Sequence, residues 1–81
     1  MIELRPREFR LLEILLRSEG RVVTRRMLLE TVWELHFDPK TKIVETHISR
    51  LRAKIDRGDH DSLIRTTRGA GYTLRAPVTA D

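Results

Sequence analysis

The chemistry most concentrated in this chain is that of hydrogen-bond donors gathered on one side of a helix. At about 100° per residue, Lys42, Thr46, Ser49, Arg50, Ala53 and Arg57 share one face of the stretch from Lys42 to Arg57, and that face holds no carboxylate. Val44, Ile48, Leu51 and Ile55 fall in a narrow arc opposite, which a fold must bury, while Glu45 and Asp56 sit on a flank beside Arg52. Cations can meet phosphates and guanine edges, small or methyl-bearing side chains can approach thymine, and no acid repels the backbone; a helix in a DNA major groove requires this division. Taken alone, the pattern also fits a solvated surface helix with one apolar stripe. His47 lies between the faces, where an imidazole can donate to a phosphate or edge the core.

A second set of donors lies further along. Leu63 to Thr67 and Tyr72 to Arg75 are β-prone segments around Arg68-Gly69-Ala70-Gly71, a hairpin in which Arg65 and Arg68 add cations near a sharp glycine turn. Such a tip can carry an arginine to a minor groove or a phosphate, although Gly-x-Gly by itself marks only a tight turn. It is no dinucleotide fingerprint, because no strand-to-helix turn of a βαβ unit surrounds it. His36-x-Asp38 and Asp56-x-x-Asp59-His60-Asp61 have neither zinc spacing nor the closing Glu of a calcium loop, so no metal or cofactor is expected. Ser18, Ser49 and Ser62 lack a nucleophile-elbow context, and a fold this small leaves little room for a pocket of about 300 Å³. The expectation is a protein that is not an enzyme.

The elements that must position these donors can be read in order. Ile2 to Leu4 is strand-like; Pro6 suits the first turn of a helix over residues 6 to 18, with Glu8 near the positive end of its dipole and Gly20 beyond its end. Phe9, Leu12 and Leu16, widened by Leu11 and Leu15, predict a buried face on it. Val22-Val23 is a short β-prone link, and Thr24 can cap a second helix burying Leu28, Leu29, Val32 and Trp33 and ending before Pro39. Thr41 can cap the third, which Gly58 stops; Asp59 to Ser62 is a polar loop, and residues 76–81 form a frayed tail. The order is strand, three helices, hairpin.

Composition agrees with one such domain. The 81 residues are 40% hydrophobic with four aromatics, Phe9, Trp33, Phe37 and Tyr72, enough to bury roughly 60 to 65% of the unfolded surface. Sixteen Lys and Arg against twelve Asp and Glu leave a charge of +4 and a pI near 10.3, which favours a polyanionic partner. The absence of cysteine suits a reducing compartment, and no apolar run approaches a membrane span, so the cytoplasm is the expected location. RNA or an anionic membrane fits less well, since no stacking aromatic lies on the basic face. A protein-interaction module offering that face to an acidic protein surface is the alternative; DNA accounts jointly for the acid-free helix and the hairpin arginine.

Five segments in order carry a family resemblance. They are Pro6-Arg7-Glu8-Phe9-Arg10-Leu11-Leu12, Gly20-Arg21-Val22-Val23-Thr24-Arg25, Leu28-Leu29-Glu30-Thr31-Val32-Trp33, Val44-Glu45-Thr46-His47-Ile48-Ser49-Arg50-Leu51-Arg52-Ala53-Lys54-Ile55, and Leu63-Ile64-Arg65-Thr66-Thr67-Arg68-Gly69-Ala70-Gly71-Tyr72. Over nearly all its length the chain resembles the C-terminal effector domain of the OmpR/PhoB class of bacterial two-component response regulators. That resemblance implies an α+β, mainly α fold, a winged helix-turn-helix with a three-helix core and a C-terminal hairpin wing. Trp33-Glu34-Leu35-His36-Phe37-Asp38-Pro39 is similar to the heavy-metal-responsive regulators of the class.

The resemblance also implies roles. The helix over residues 42–57 becomes the recognition helix, with Lys42, Thr46, His47 and Arg50 facing DNA and Arg52 near phosphate; the wheel adds Ser49 and Arg57 to that face. Thr66 and Arg68 become wing contacts, with residues 68–71 at the minor groove. Trp33 lies by the DNA backbone, or is a core anchor, or both. Leu35, His36, Phe37, Asp38, Pro39 and Lys40 form the loop that touches RNA polymerase. Partners would be promoter DNA in direct repeats, polymerase, and a receiver domain and sensor kinase outside this sequence, the isolated domain being monomeric. Two departures matter. Arg5 stands where the family has Thr or Ser, at a cost on the order of 1 kcal/mol in capping. The receiver and most of an N-terminal four-stranded sheet are missing, which implies a truncated effector domain whose first helix exposes apolar surface.

Overall fold

The computed structural model describes residues 3–55 and 63–75. They form α1 (Pro6–Arg17), α2 (Arg25–Val32), α3 (Ile43–Ile55), β1 (Ile64–Thr67) and β2 (Gly71–Leu74). Glu3 and Leu4 adopt no strand, while Ile2, Asp56, Arg57, the Gly58 stop, the 59–62 loop and the 76–81 tail lie outside the described residues.

Pro6 opens α1 behind an extended Arg5, whose N–H donates to the Glu8 carboxylate at 2.9 Å. That is half of a capping box: a guanidinium has no acceptor to return to the Glu8 N–H. The buried side of α1 is Glu8, Leu11 and Leu15, with Leu12 and Ile14 partly covered. Phe9 and Leu16 depart from the expected buried face, at 59% and 52% exposure. The apolar sector of α1 is broader than α2, α3 and the hairpin can cover, so only its Leu11/Leu15 edge enters the core.

Thr24 caps α2, its hydroxyl accepting the Met27 N–H at 3.1 Å. The helix ends when the Trp33 and Leu35 N–H groups both turn back to the Leu29 carbonyl, with Glu34 in the left-handed region at φ 56°. In α3 the backbone ladder starts from the Lys42 carbonyl, which accepts the Thr46 N–H at 2.8 Å, so the helix begins one residue later than a Thr41 cap implied. Val44, Ile48 and Leu51 are buried, and Ile55 packs at the margin.

β1 and β2 pair antiparallel, Ile64 opposite Leu74 and Thr67 opposite Gly71, across a turn with Gly69 at φ 77°. The other edge of β2 is occupied too. Val23 and Tyr72 exchange backbone bonds of 2.7 and 2.9 Å, and Gly20 N–H reaches the Leu74 carbonyl at 3.1 Å. The α1–α2 link and the hairpin thus lock together, closing a core in which Ile64, Tyr72 and Leu74 join Leu11, Leu15, Leu28 and the α3 stripe.

Candidate nucleic-acid interface

With its apolar stripe committed to the core, α3 presents Lys42, Thr46, Ser49, Arg50 and Ala53 to solvent. Charge accounting separates this face from the rest of the surface. Arg10 and Arg17 meet Glu13, Arg26 meets Glu30, and Lys54 meets Glu8. Among the described residues, Lys42, Arg50 and Arg68 make no ion pair or side-chain hydrogen bond. Thr66 and Arg68 are exposed on the hairpin, beside a turn closed by the Ala70 N–H on the Thr67 carbonyl at 2.9 Å.

His47 is half-buried; its Nδ1 lies 2.8 Å from the Ile43 carbonyl, a bond that requires a proton on Nδ1 and leaves Nε2 turned away from it. Its ring meets Trp33 edge-on, with centroids 5.0 Å apart. Trp33 itself is only 9% exposed, a core residue at the end of α2. Arg7 lies over the indole at 5.9 Å and donates to the Val32 carbonyl at 3.1 Å, supplying from α1 the cation that the last turn of α2 lacks.

Arg52 stands apart from the exposed face. It is half-buried, its Nε donating to the Ile64 carbonyl at 3.1 Å and its Nη2 to the Thr66 hydroxyl at 2.7 Å. Arg57 lies outside the described residues.

One residue holds the site together from behind. Arg25, the first residue of α2, donates Nη1 to Asp38 at 2.7 Å, Nε to Glu45 at 2.8 Å and Nη2 to the Thr41 carbonyl. A single guanidinium therefore ties the start of α2 to the loop and to the first turn of α3. The Glu45 and then the Asp38 contact raise the Arg25 pKa further, and Arg25, with the Lys40 N–H at 2.8 Å, holds Asp38 below the ordinary carboxylate range. Arg25 was missed as a site residue, because its partners lie 13 and 20 residues away and no local pattern pairs them. Beneath the wing, burial pushes the Tyr72 phenol up, with the Glu45 charge adding to it.

In the 35–40 loop, Leu35 and Pro39 are half-buried while His36, Phe37, Asp38 and Lys40 are exposed. An open groove of about 610 Å³ runs between that loop, the start of α2 and the wing turn, walled by Leu29, Leu35, Phe37 and Ala70. It corrects the expectation that no space of that size could exist: the loop and the hairpin both project from the core and leave a channel between them.

The chain matches the family model for transcriptional regulatory proteins, C terminal, over residues 1–74. It is 42% identical over 76 residues to the transcriptional regulatory protein CusR of Escherichia coli K12, covering 94% of this chain and 34% of CusR. It therefore spans about a third of the length of the curated relatives it matches. Among solved structures, the DNA-binding domain of Escherichia coli CpxR is similar with TM-score 0.81 and 37% identity, over 93% of this chain and 74% of that one. The Klebsiella pneumoniae RstA DNA-binding domain, solved in complex with the RstA box, is similar with TM-score 0.80 and 29% identity, over 91% of this chain and 74% of that one.

Proposed function

As the chain belongs to the C-terminal domain family of transcriptional regulatory proteins, DNA-binding effector domains of response regulators, we propose that it docks on promoter DNA with α3 in the major groove and the wing turn at the adjacent minor groove. The observation that carries this reading is the acid-free outer face of α3, whose Lys42 and Arg50 have no partner among the described residues, set beside the unpaired Arg68 of the hairpin. Neutralising phosphates releases counterions and supplies affinity; Thr46, Ser49 and Arg50 read base edges and supply specificity. His47 contacts the rim of the groove through Nε2, Thr66 donates to a phosphate, and Trp33 acts by holding His47 in place. Arg57 extends the same face toward the backbone.

The whole protein is a larger, non-enzymatic cytoplasmic regulator in which a receiver domain, addressed by a sensor kinase, controls this domain, and in which no cofactor or metal is used. The groove beside Phe37, with loop residues 35–40, is the surface offered to RNA polymerase, Phe37 being 65% exposed. The domain binds direct repeats head to tail on DNA and is a monomer off it; a stable dimer in sedimentation without DNA would contradict that last point.

The test is selection of bound duplexes from a random pool, followed by anisotropy titrations at several salt concentrations. Enrichment of a short motif with a steep negative slope of log K against log salt is the expected result. No binding at low salt by the folded domain would overturn it and favour an acidic protein partner.

A further inference from the structure

Building on that reading, we propose that Arg52 is a positioning residue: it fixes the wing against the recognition helix and presets the Thr66 hydroxyl as a donor to a backbone phosphate. From the flank of α3, its guanidinium reaches two residues of the same strand, the Ile64 carbonyl at 3.1 Å and the Thr66 Oγ1 at 2.7 Å. Ile64 is fully buried in the core and Thr66 is exposed, so the two bonds span β1 from its anchored end to its outer surface. A planar, rigid fork held at two points on one strand sets the rotation of that strand about the helix, which a flexible single-point ammonium does not. The wing turn follows directly from β1, so the angle at which Arg68 leaves the protein is set by the same fork.

The second half follows from donor and acceptor bookkeeping. A guanidinium only donates, so the Thr66 oxygen is the acceptor in its bond with Arg52. The Thr66 proton is then free to go only to another acceptor, and the charge behind it strengthens it as a donor. On an exposed strand residue next to the minor-groove arginine, the acceptor of matching chemistry is a phosphate oxygen. Arg52 and Thr66 thus act as one unit, the cation facing the protein and the hydroxyl facing the nucleic acid.

A phosphate contact made by Arg52 itself would behave differently. The test uses the wild-type domain, R52K, R52Q, T66S, T66V and the R52Q/T66V double variant on the selected duplex. Thermal unfolding verifies folding, affinity is followed against salt, and hydroxyl-radical footprints map the wing's minor groove. As a positioning residue, Arg52 gives R52K and R52Q the same loss, on the order of tenfold, the size of one charge-assisted hydrogen bond. Their salt slopes stay at the wild-type value, because no phosphate charge contact is lost, and the wing footprint fades. T66S binds as wild type, T66V falls by a similar factor, and the double variant loses no more than the weaker single one. R52K binding like wild type, with a slope for R52Q shallower by about 0.9, would show a direct phosphate contact and overturn the proposal. Additive losses in the double variant would overturn it too, and T66V, an exposed change that leaves the Ile64 bond intact, carries the test if the Arg52 variants unfold. Absence of any wild-type motif would instead sink the DNA-docking reading, and with it this one.

Discussion

Gly71 and Gly69 look equivalent in the wing sequence, yet the structure predicts very different costs for giving each a methyl group. An alanine Cβ at Gly71 would lie 2.2 Å from the Val23 carbonyl oxygen and 2.9 Å from the Thr24 Cα, both backbone atoms with no rotamer to turn aside. The φ of 151° is also one that side-chain-bearing residues avoid, worth about 1 to 3 kcal/mol. Relief requires the α1–α2 link to move from β2, which breaks the two Val23–Tyr72 bonds at about 1 kcal/mol each. Together Gly71→Ala should cost about 3 to 5 kcal/mol. At Gly69 a Cβ meets nothing within 4 Å and only the φ of 77° is strained, so Gly69→Ala should cost about 1 kcal/mol. In a domain of this size the first loss lowers Tm by at least about 12 °C and the second by roughly 4 to 8 °C. Urea and thermal unfolding by circular dichroism measure both, and amide exchange at Val23 and Tyr72 should accelerate in Gly71→Ala alone. Equal losses for the two variants would refute the close-approach reasoning.

Three further predictions address other parts of the molecule. Lys42→Ala and Arg50→Ala should each weaken cognate binding by about 1 to 3 kcal/mol with unfolding unchanged, while Arg68→Ala lowers affinity and A·T preference at the wing; unchanged cognate affinity in all three, by equilibrium titration, would remove α3 and the wing from the interface. Leu15→Ala should cost about 2 to 5 kcal/mol and its neighbour Leu16→Ala far less, since only the first is buried, a contrast read directly from denaturant midpoints. The Glu8 pKa is lowered chiefly by the Lys54 hydrogen bond and then by the Arg5 N–H, against the opposing effect of burial. A depressed carboxylate stabilises fully above its unfolded pKa, near 4.5, and loses that contribution as pH falls through the lower folded value. Glu8→Gln should therefore flatten the acid limb of stability below about pH 4.5 and cost about 1 to 3 kcal/mol at pH 7; an unaltered acid limb would contradict the pairing.

Local signals carried most of the fold. Thr24 capped α2 where its type and position said it would, and the stripe Val44, Ile48, Leu51 turned inward because nothing else on α3 could. What local signals could not resolve was which part of a wide apolar sector enters a core, so Phe9 and Leu16 of α1 stand exposed while Leu11 and Leu15 do not. The exposed face of the candidate site was legible from the wheel, since it depends on residues within one helix. Its supports were not: Arg25 reaches Asp38 and Glu45, Arg52 reaches Ile64 and Thr66, and Lys54 reaches Glu8 across 46 residues. These are pairings of distant chain segments, which a charge pattern read in order does not contain.

The seam between β2 and the α1–α2 link has a bearing on how the domain comes into being on the ribosome. Gly20 and Val23 find their backbone partners only at Leu74 and Tyr72, and Leu11 and Leu15 share a core with Ile64 and Leu74. At about 5 to 20 residues per second, α3 emerges seconds before the strand that completes the core beneath it. Non-local closure of this kind makes folding a late, all-at-once event. A nascent chain exposes the basic helix without the scaffold that orients it, and competence to grip DNA appears only once the last strand is seated.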